Sequence, residues 1–204
     1  MLSRNQEDQE KYGYILHPIT NDCSDQPMVI KVMKFTDGIN YQILDKMIEQ
    51  LDIMLCKYSR VLVTRIDFHV NNYSVNNKTL SDFNTKINRK IKNIYGKTLG
   101  YIWVREINKS IKQHYHVAYF LNGHKINYPS RFNELIMSMW KDEFSGHSSI
   151  PKDCFYFIDR SRADYLDTIF GCIYRISYLA KNFSKQYDNK KAKSYQASRL
   201  KYAT

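Results

Sequence analysis

No apolar run in the 204-residue chain approaches the roughly 20 residues that a membrane-spanning helix needs. The segment from Met1 to Lys11 is polar and mixed in charge, without the apolar core of a signal peptide. Cysteine is sparse: Cys23, Cys56, Cys154 and Cys172 stand far apart with no Cys-x-x-Cys, a pattern that indicates neither a zinc ribbon nor a disulfide framework. There is no internal repeat and no low-complexity block. These absences point to a reduced, cytoplasmic protein with no membrane partner.

Acids are the minority charge, 20 against 31 basic residues, which leaves a formal net charge of +11. The 17 tyrosines and 10 phenylalanines accompany that excess. Basic chains attract phosphate polyanions, and aromatic rings among the bases are what single-stranded nucleic acid stacks on. A solvated lysine-rich surface is the bland alternative. Part of the excess is local: from Lys181 to Thr204 seven Lys or Arg face one acid, Asp188, with little apolar periodicity. That stretch reads as a basic tail.

Hydrophobic residues make up 43%, enough for a globular core in a chain of one domain. The first 27 residues hold Pro18, Pro27 and many polar groups and read as a flexible arm, which leaves a domain over 28–183 and the tail over 184–204. Alternation predicts a strand over 28–35, and helical spacing from Ile39 to Leu55 predicts the first helix. A β-rich run over 60–70 reads as a central strand. Thr79 or Ser81 can cap a basic helix that ends at Gly96. Two strands, 99–107 and 113–121, form a hairpin through the polar link Asn108 to Lys112. A helix over 130–144, a short strand over 155–158 and a last helix from Asp164 to about Phe183 complete the order β-α-β-α-β-β-α-β-α. The expected class is α+β, a central antiparallel sheet of ferredoxin-like type with helices mainly on one face.

The chemistry sits on the second hairpin strand. His114 and His116 are two apart, so both leave the same strand face and can reach one cation. A lone pair of this kind is more often structural than metal-binding. With the turn centred near Lys109 to Ile111, however, Glu106 falls opposite His114 on the preceding strand, about 5 Å away at Cβ. Two imidazoles and a carboxylate suit Mg²⁺ or Mn²⁺ acting on a phosphate oxygen. Glu106 can also be read as a surface acid paired with Arg105 or Lys112. Asp67, two residues from His69, competes as the carboxylate ligand, or is a buried acid held by Arg65. In the last helix Tyr178 and Lys181 lie one turn apart on the flank of an apolar stripe. Tyr174 lies on the same flank, and Tyr178 can equally be a packing tyrosine.

Together these parts resemble the HUH superfamily of rolling-circle replication initiators, over roughly Val61 to Lys181. Val61-Leu62-Val63-Thr64 looks like its first motif, His114-Tyr115-His116 its second and Tyr178-x-x-Lys181 its third. Arg65-x-Asp67, Gly100-Tyr101-Ile102-Trp103-x-x-Glu106 and Asn122-Gly123 look more narrowly like the filamentous-phage (inovirus) gene II replication proteins and their prophage-encoded relatives. The short, lysine-rich link between Glu106 and His114 departs from that pattern. The resemblance implies a bacterial host cell and a metal-dependent endonuclease and strand transferase that acts on single-stranded or hairpin origin DNA. Tyr178 would form a 5′-phosphotyrosyl link, Lys181 would neutralise phosphate or orient Tyr178, and Tyr174 would be a possible second tyrosine. A host helicase and polymerase would be its partners. A non-catalytic single-strand-binding module and a primase-like polymerase using Asp67 and His69 are the alternatives.

Overall fold

The run from Arg60 to His69 is an interior strand of the sheet, and its residues 61–66 are all buried. The computed structural model describes residues 12–18, 27–96, 98–107, 113–182 and 192–202. In chain order the elements are β1 (Tyr12–Pro18), β2 (Pro27–Met33), α1 (Tyr41–Lys57), β3 (Arg60–His69), α2 (Lys78–Tyr95), β4 (Leu99–Ile107), β5 (Gln113–Asn122), α3 (Ser130–Phe144), β6 (His147–Ser149), β7 (Phe155–Asp159), α4 (Tyr165–Ile176), a 3₁₀ turn (Ser177–Ala180) and β8 (Tyr195–Ala197). β1 and β2 form a separate hairpin. The main sheet runs β6-β3-β5-β4-β8, with β7 beside β6 on the same edge of β3, and every pairing is antiparallel.

The class is α+β with a central antiparallel sheet, as expected, but the helices are not mainly on one face. One side packs α1 and α4 on Val61, Val63, Ile102, Val104, Ala118 and Phe120. The other packs α2 and α3 on Leu62, Ile66, Phe68, Trp103, Tyr115 and Val117. The reason is visible in the strands themselves. β3, β4 and β5 are apolar at consecutive positions rather than alternate ones, so both faces need cover. Each fully buried side chain such as Phe83, Phe132 or Ile43 contributes about 1.5–3 kcal/mol.

Local chemistry sets several boundaries. Asn40 caps α1 by accepting from the Ile43 N–H at 3.1 Å, after a turn in which Gly38 takes φ 74°. α2 starts at Lys78 behind Asn77, with no side-chain cap bond, so neither Thr79 nor Ser81 caps it. Trp140 of α3 donates to the His69 carbonyl at 3.1 Å, and a Cβ at Gly146 would collide with that indole. This close approach brings His147 to the end of β3.

Both termini depart from the expected arm and tail. Residues 12–18 pair with β2 in a seven-residue register, and Ile15 packs against the core. Residues 195–197 pair with β4, and Tyr195, Ala197 and Leu200 pack against the same core. Tyr202 then donates to the buried Asp52 at 2.8 Å. A three-residue strand among lysines carries no periodicity to read; the unpaired edge of β4 provides the hydrogen bonds that order it. The link 108–112 and the remainder of both expected terminal segments lie outside the described residues.

Candidate active site

The face of the sheet toward α1 and α4 changes character along its length. At one level Arg65, Ala118 and Ile102 are neighbours across β3, β5 and β4; the next level holds Asp67, His116 and Val104; the next holds His69, His114 and Glu106. A strand face that is apolar for half its length thus ends in a patch of titratable groups. Glu106 stands opposite His114 in register.

Glu106 Oε2 lies 3.1 Å from His116 Nε2 and 3.3 Å from His114 Nε2. Among the described residues this is the one group of three potential ligands gathered within 4.8 Å. An ion with bonds of about 2.1 Å places adjacent ligands about 3 Å apart, so these separations match the edges of its coordination shell. Glu106 and His116 are 2% and 4% exposed. His116 Nε2 is buried and makes no well-aligned hydrogen bond. The three side chains therefore fit a divalent cation.

The far nitrogen of His116 is already engaged. Its Nδ1 is 2.7 Å from Asp67 Oδ1 and 3.0 Å from the Arg65 guanidinium. A guanidinium only donates and a carboxylate only accepts, so the shorter, charge-assisted bond decides the tautomer. Nδ1–H points at Asp67, and the Nε2 lone pair is left for the Glu106 side. Asp67 is thus not on the chelating side. It orients the ligand, and Arg65 in turn holds both its oxygens at 3.0 Å. Burial works against charge on His116, yet Asp67 and Glu106 outweigh it and raise the imidazole pKa above its usual value. Burial likewise works to raise Asp67, but His116 and Arg65 hold it below the usual carboxylate range. His69 is lowered by burial and by repulsion from His114 and His147. Its ring stacks on His147 at 4.6 Å and on His114 at 5.4 Å, and among the described residues neither Asp67 nor His69 belongs to a group of three potential ligands.

Tyr178 arrives from the opposite wall. The last helix stops at Ile176, short of the expected end, and continues as the 3₁₀ turn 177–180. Ser177 stands at the change: its hydroxyl donates to the Tyr174 carbonyl at 2.6 Å and accepts the Met33 N–H at 2.9 Å. At three residues per turn, side chains at i and i+3 eclipse, which sets Lys181 over Tyr178. Lys181 Nζ donates to Tyr178 Oη at 2.8 Å and lies 3.7 Å from Glu106 Oε2. The Tyr178 ring meets the His116 ring edge-on at 5.5 Å, and Arg65 lies over it at 4.4 Å. The chain then leaves along residues 37–40, with Asn40 N–H bonded to Ala180 O and Asn182 N–H to Gly38 O. Tyr174, one turn earlier, has Lys31 at 5.7 Å, on the hairpin side.

Of the seven groups named from the sequence, Glu106, His114, His116, Tyr178 and Lys181 meet at one place, Asp67 stands behind His116, and Tyr174 lies toward the hairpin. The YagK/YfjJ C-terminal domain family matches residues 24–196, a span that holds every one of them. The chain belongs to that family. It is also similar to the uncharacterized protein YagK of Escherichia coli (strain K12), at 24% identity over 193 residues that cover 76% of this chain and 92% of that protein. No solved structure matches it. Sequence reading missed Arg65 as a partner of Tyr178 and His147 as a neighbour of His69, because neither pairing leaves a local pattern. No helix among the described residues is long and apolar enough to cross a membrane.

Proposed function

We propose that this chain nicks and rejoins single-stranded DNA at a replication origin through a 5′-phosphotyrosyl intermediate, inside a bacterial cytoplasm. The observation that carries the reading is the position of Tyr178, whose hydroxyl is bonded to Lys181 while its ring touches His116 of the cluster. Glu106, His114 and His116 would hold Mg²⁺ or Mn²⁺, which supplies Lewis-acid polarisation of the scissile phosphate. Phenols ionise near pH 10, so the oxygen needs help at neutral pH. Lys181 provides it: its ammonium sits where negative charge grows as the phenolic proton leaves. The Oη–phosphorus bond forms as the phosphorus–O3′ bond breaks, and the departing 3′-oxygen takes up one proton. One phosphodiester replaces another, so attack by a 3′-OH restores the DNA and the free tyrosine.

The test is incubation with Mg²⁺ or Mn²⁺ and labelled single-stranded hairpin DNA, read as an adduct that survives denaturing electrophoresis. Wild type forms it and Tyr178→Phe does not, whereas Tyr174→Phe still makes the first nick. His116→Ala loses it and regains part at higher metal concentration. An adduct retained by Tyr178→Phe but lost by Tyr174→Phe means that the other tyrosine is the nucleophile. Binding of the strand with no adduct under any of these conditions makes the chain a binding module. The metal has a readout of its own: Mn²⁺ at a hundred times its Kd adds about 2.7 kcal/mol. That is a rise of about 5–10 °C in Tm for a chain of this size. Glu106→Gln and His116→Ala abolish the rise, and an equal rise in either variant places the ion elsewhere.

A further inference from the structure

The β1–β2 hairpin has an unusual outer face. Its register places Tyr14 opposite Lys31 and Tyr12 opposite Met33, so these four share one side. Alternation sends Ile30 and Val32 into the core, at 0% and 2% exposed. The solvent side of such a hairpin is ordinarily polar; here Tyr14 is 64% and Val29 60% exposed. The rings are ordered rather than scattered. Tyr12 and Tyr14 meet edge to face at 5.8 Å, and Lys31 Nζ sits 3.3 Å from the centre of the Tyr12 ring. The same ammonium is 5.7 Å from Tyr174, one helical turn from Tyr178, and Phe35 beyond β2 meets Tyr178 at 6.0 Å. Aromatic rings with a cation among them thus lie along the way from the hairpin to Tyr178.

We propose that this outer face is a stacking platform for the bases of a single-stranded DNA that flank the scissile phosphate. The inference rests on the reading of the chain as a protein that takes single strands. A nucleobase offers a flat π-face to Tyr14 and Tyr12, and a phosphate offers the counter-charge to Lys31. The net charge of +11 favours a polyanion over an apolar partner, and the continuity with Tyr178 says which part of the strand lies there. Duplex DNA keeps its bases stacked on one another and has none to give, so the platform selects single strands.

The experiment is fluorescence anisotropy of a labelled oligothymidylate of roughly 20 nucleotides, against a hairpin duplex of equal charge. Removing the ring beneath one stacked base weakens binding about tenfold, the equivalent of about 1.4 kcal/mol. The double variant Tyr12→Ala/Tyr14→Ala therefore binds the single strand about a hundredfold more weakly with an unchanged salt slope. Lys31→Ala lowers the log–log salt slope by about 0.7. Tyr14→Trp, which keeps a stacking ring, retains affinity, and its fluorescence is quenched by bound strand. If the double variant binds as tightly as a wild type that forms the Tyr178 adduct, the platform is wrong and the nicking reading stands. If the double variant weakens binding but wild type never forms the adduct, the platform stands and the nicking reading is wrong. Equal weakening on duplex and single strand overturns the platform. So does unchanged affinity with conversion of a dimer to a monomer in sedimentation, which makes the face a subunit contact.

Discussion

The guanidinium of Arg65 holds Asp67 through two bonds at 3.0 Å and at the same time lies 4.4 Å over the ring of Tyr178. Through Asp67 it fixes the tautomer of His116, and through the ring it holds Tyr178, the proposed nucleophile. A lysine can supply the charge but not the planar fork that does both. Arg65→Lys is therefore expected to lower the rate of adduct formation by about ten- to a hundredfold while strand affinity stays within about twofold. A variant that loses affinity and rate in proportion shows instead that Arg65 acts only on binding. Much of the site at this level was legible. His114 and His116 share a strand face by spacing alone, and a turn centred near Lys109 to Ile111 puts Glu106 opposite the first of them. Arg65 over Tyr178 was not legible, because the two are joined only by the docking of α4 onto the sheet.

The turn that carries Tyr178 is a second device. The Ser177 N–H still bonds the Ile173 carbonyl, while its hydroxyl links the Tyr174 carbonyl to β2, 144 residues away in sequence. Ser177→Ala leaves the half-buried Met33 N–H without that partner, at a cost of about 1 kcal/mol. With the tie gone the segment 177–180 can continue as α-helix, which rotates Lys181 off Tyr178. The expected outcome is a fall of a few degrees in Tm with a larger, separable fall in adduct yield, measured on protein that is fully folded at the assay temperature. Full yield at the lowered Tm means that the turn is not needed to place the tyrosine. Periodicity located α1 through α4, yet it ran the last helix on to Phe183, because Tyr178, Leu179 and Ala180 fit a helical stripe as well as they fit this turn. The hydroxyl at the helix end bonds a strand which no local window contains.

The sheet is covered on both sides, and its last edge is closed by residues from the far end of the chain. β8 pairs with β4, whose Arg105 N–H also bonds Ser194 O, and Ser198 bonds the Tyr101 backbone in both directions. Removal of residues 192–204 is expected to lower Tm by at least about 5 °C, since it strips apolar cover and reopens a strand edge. Light scattering should rise on warming, and adduct yield should fall, because Glu106 is on the uncovered strand. A truncated chain that melts and nicks like wild type makes β8 dispensable. This closure was illegible because it rests on backbone pairing rather than side-chain pattern; the basic residues around it hid a strand that needs no apolar alternation.

The stitching of the site has a consequence in time. During synthesis the strands bearing Glu106, His114 and His116 leave the ribosome well before Tyr178, and β8 follows later still. A growing chain therefore carries the Glu106, His114 and His116 cluster for roughly 3–12 s before Tyr178 is made, and Tyr178 before β8 closes the sheet. On the reading proposed above, a nascent chain that stops short of Tyr178 would be unable to join itself to DNA, whatever its metal ligands hold.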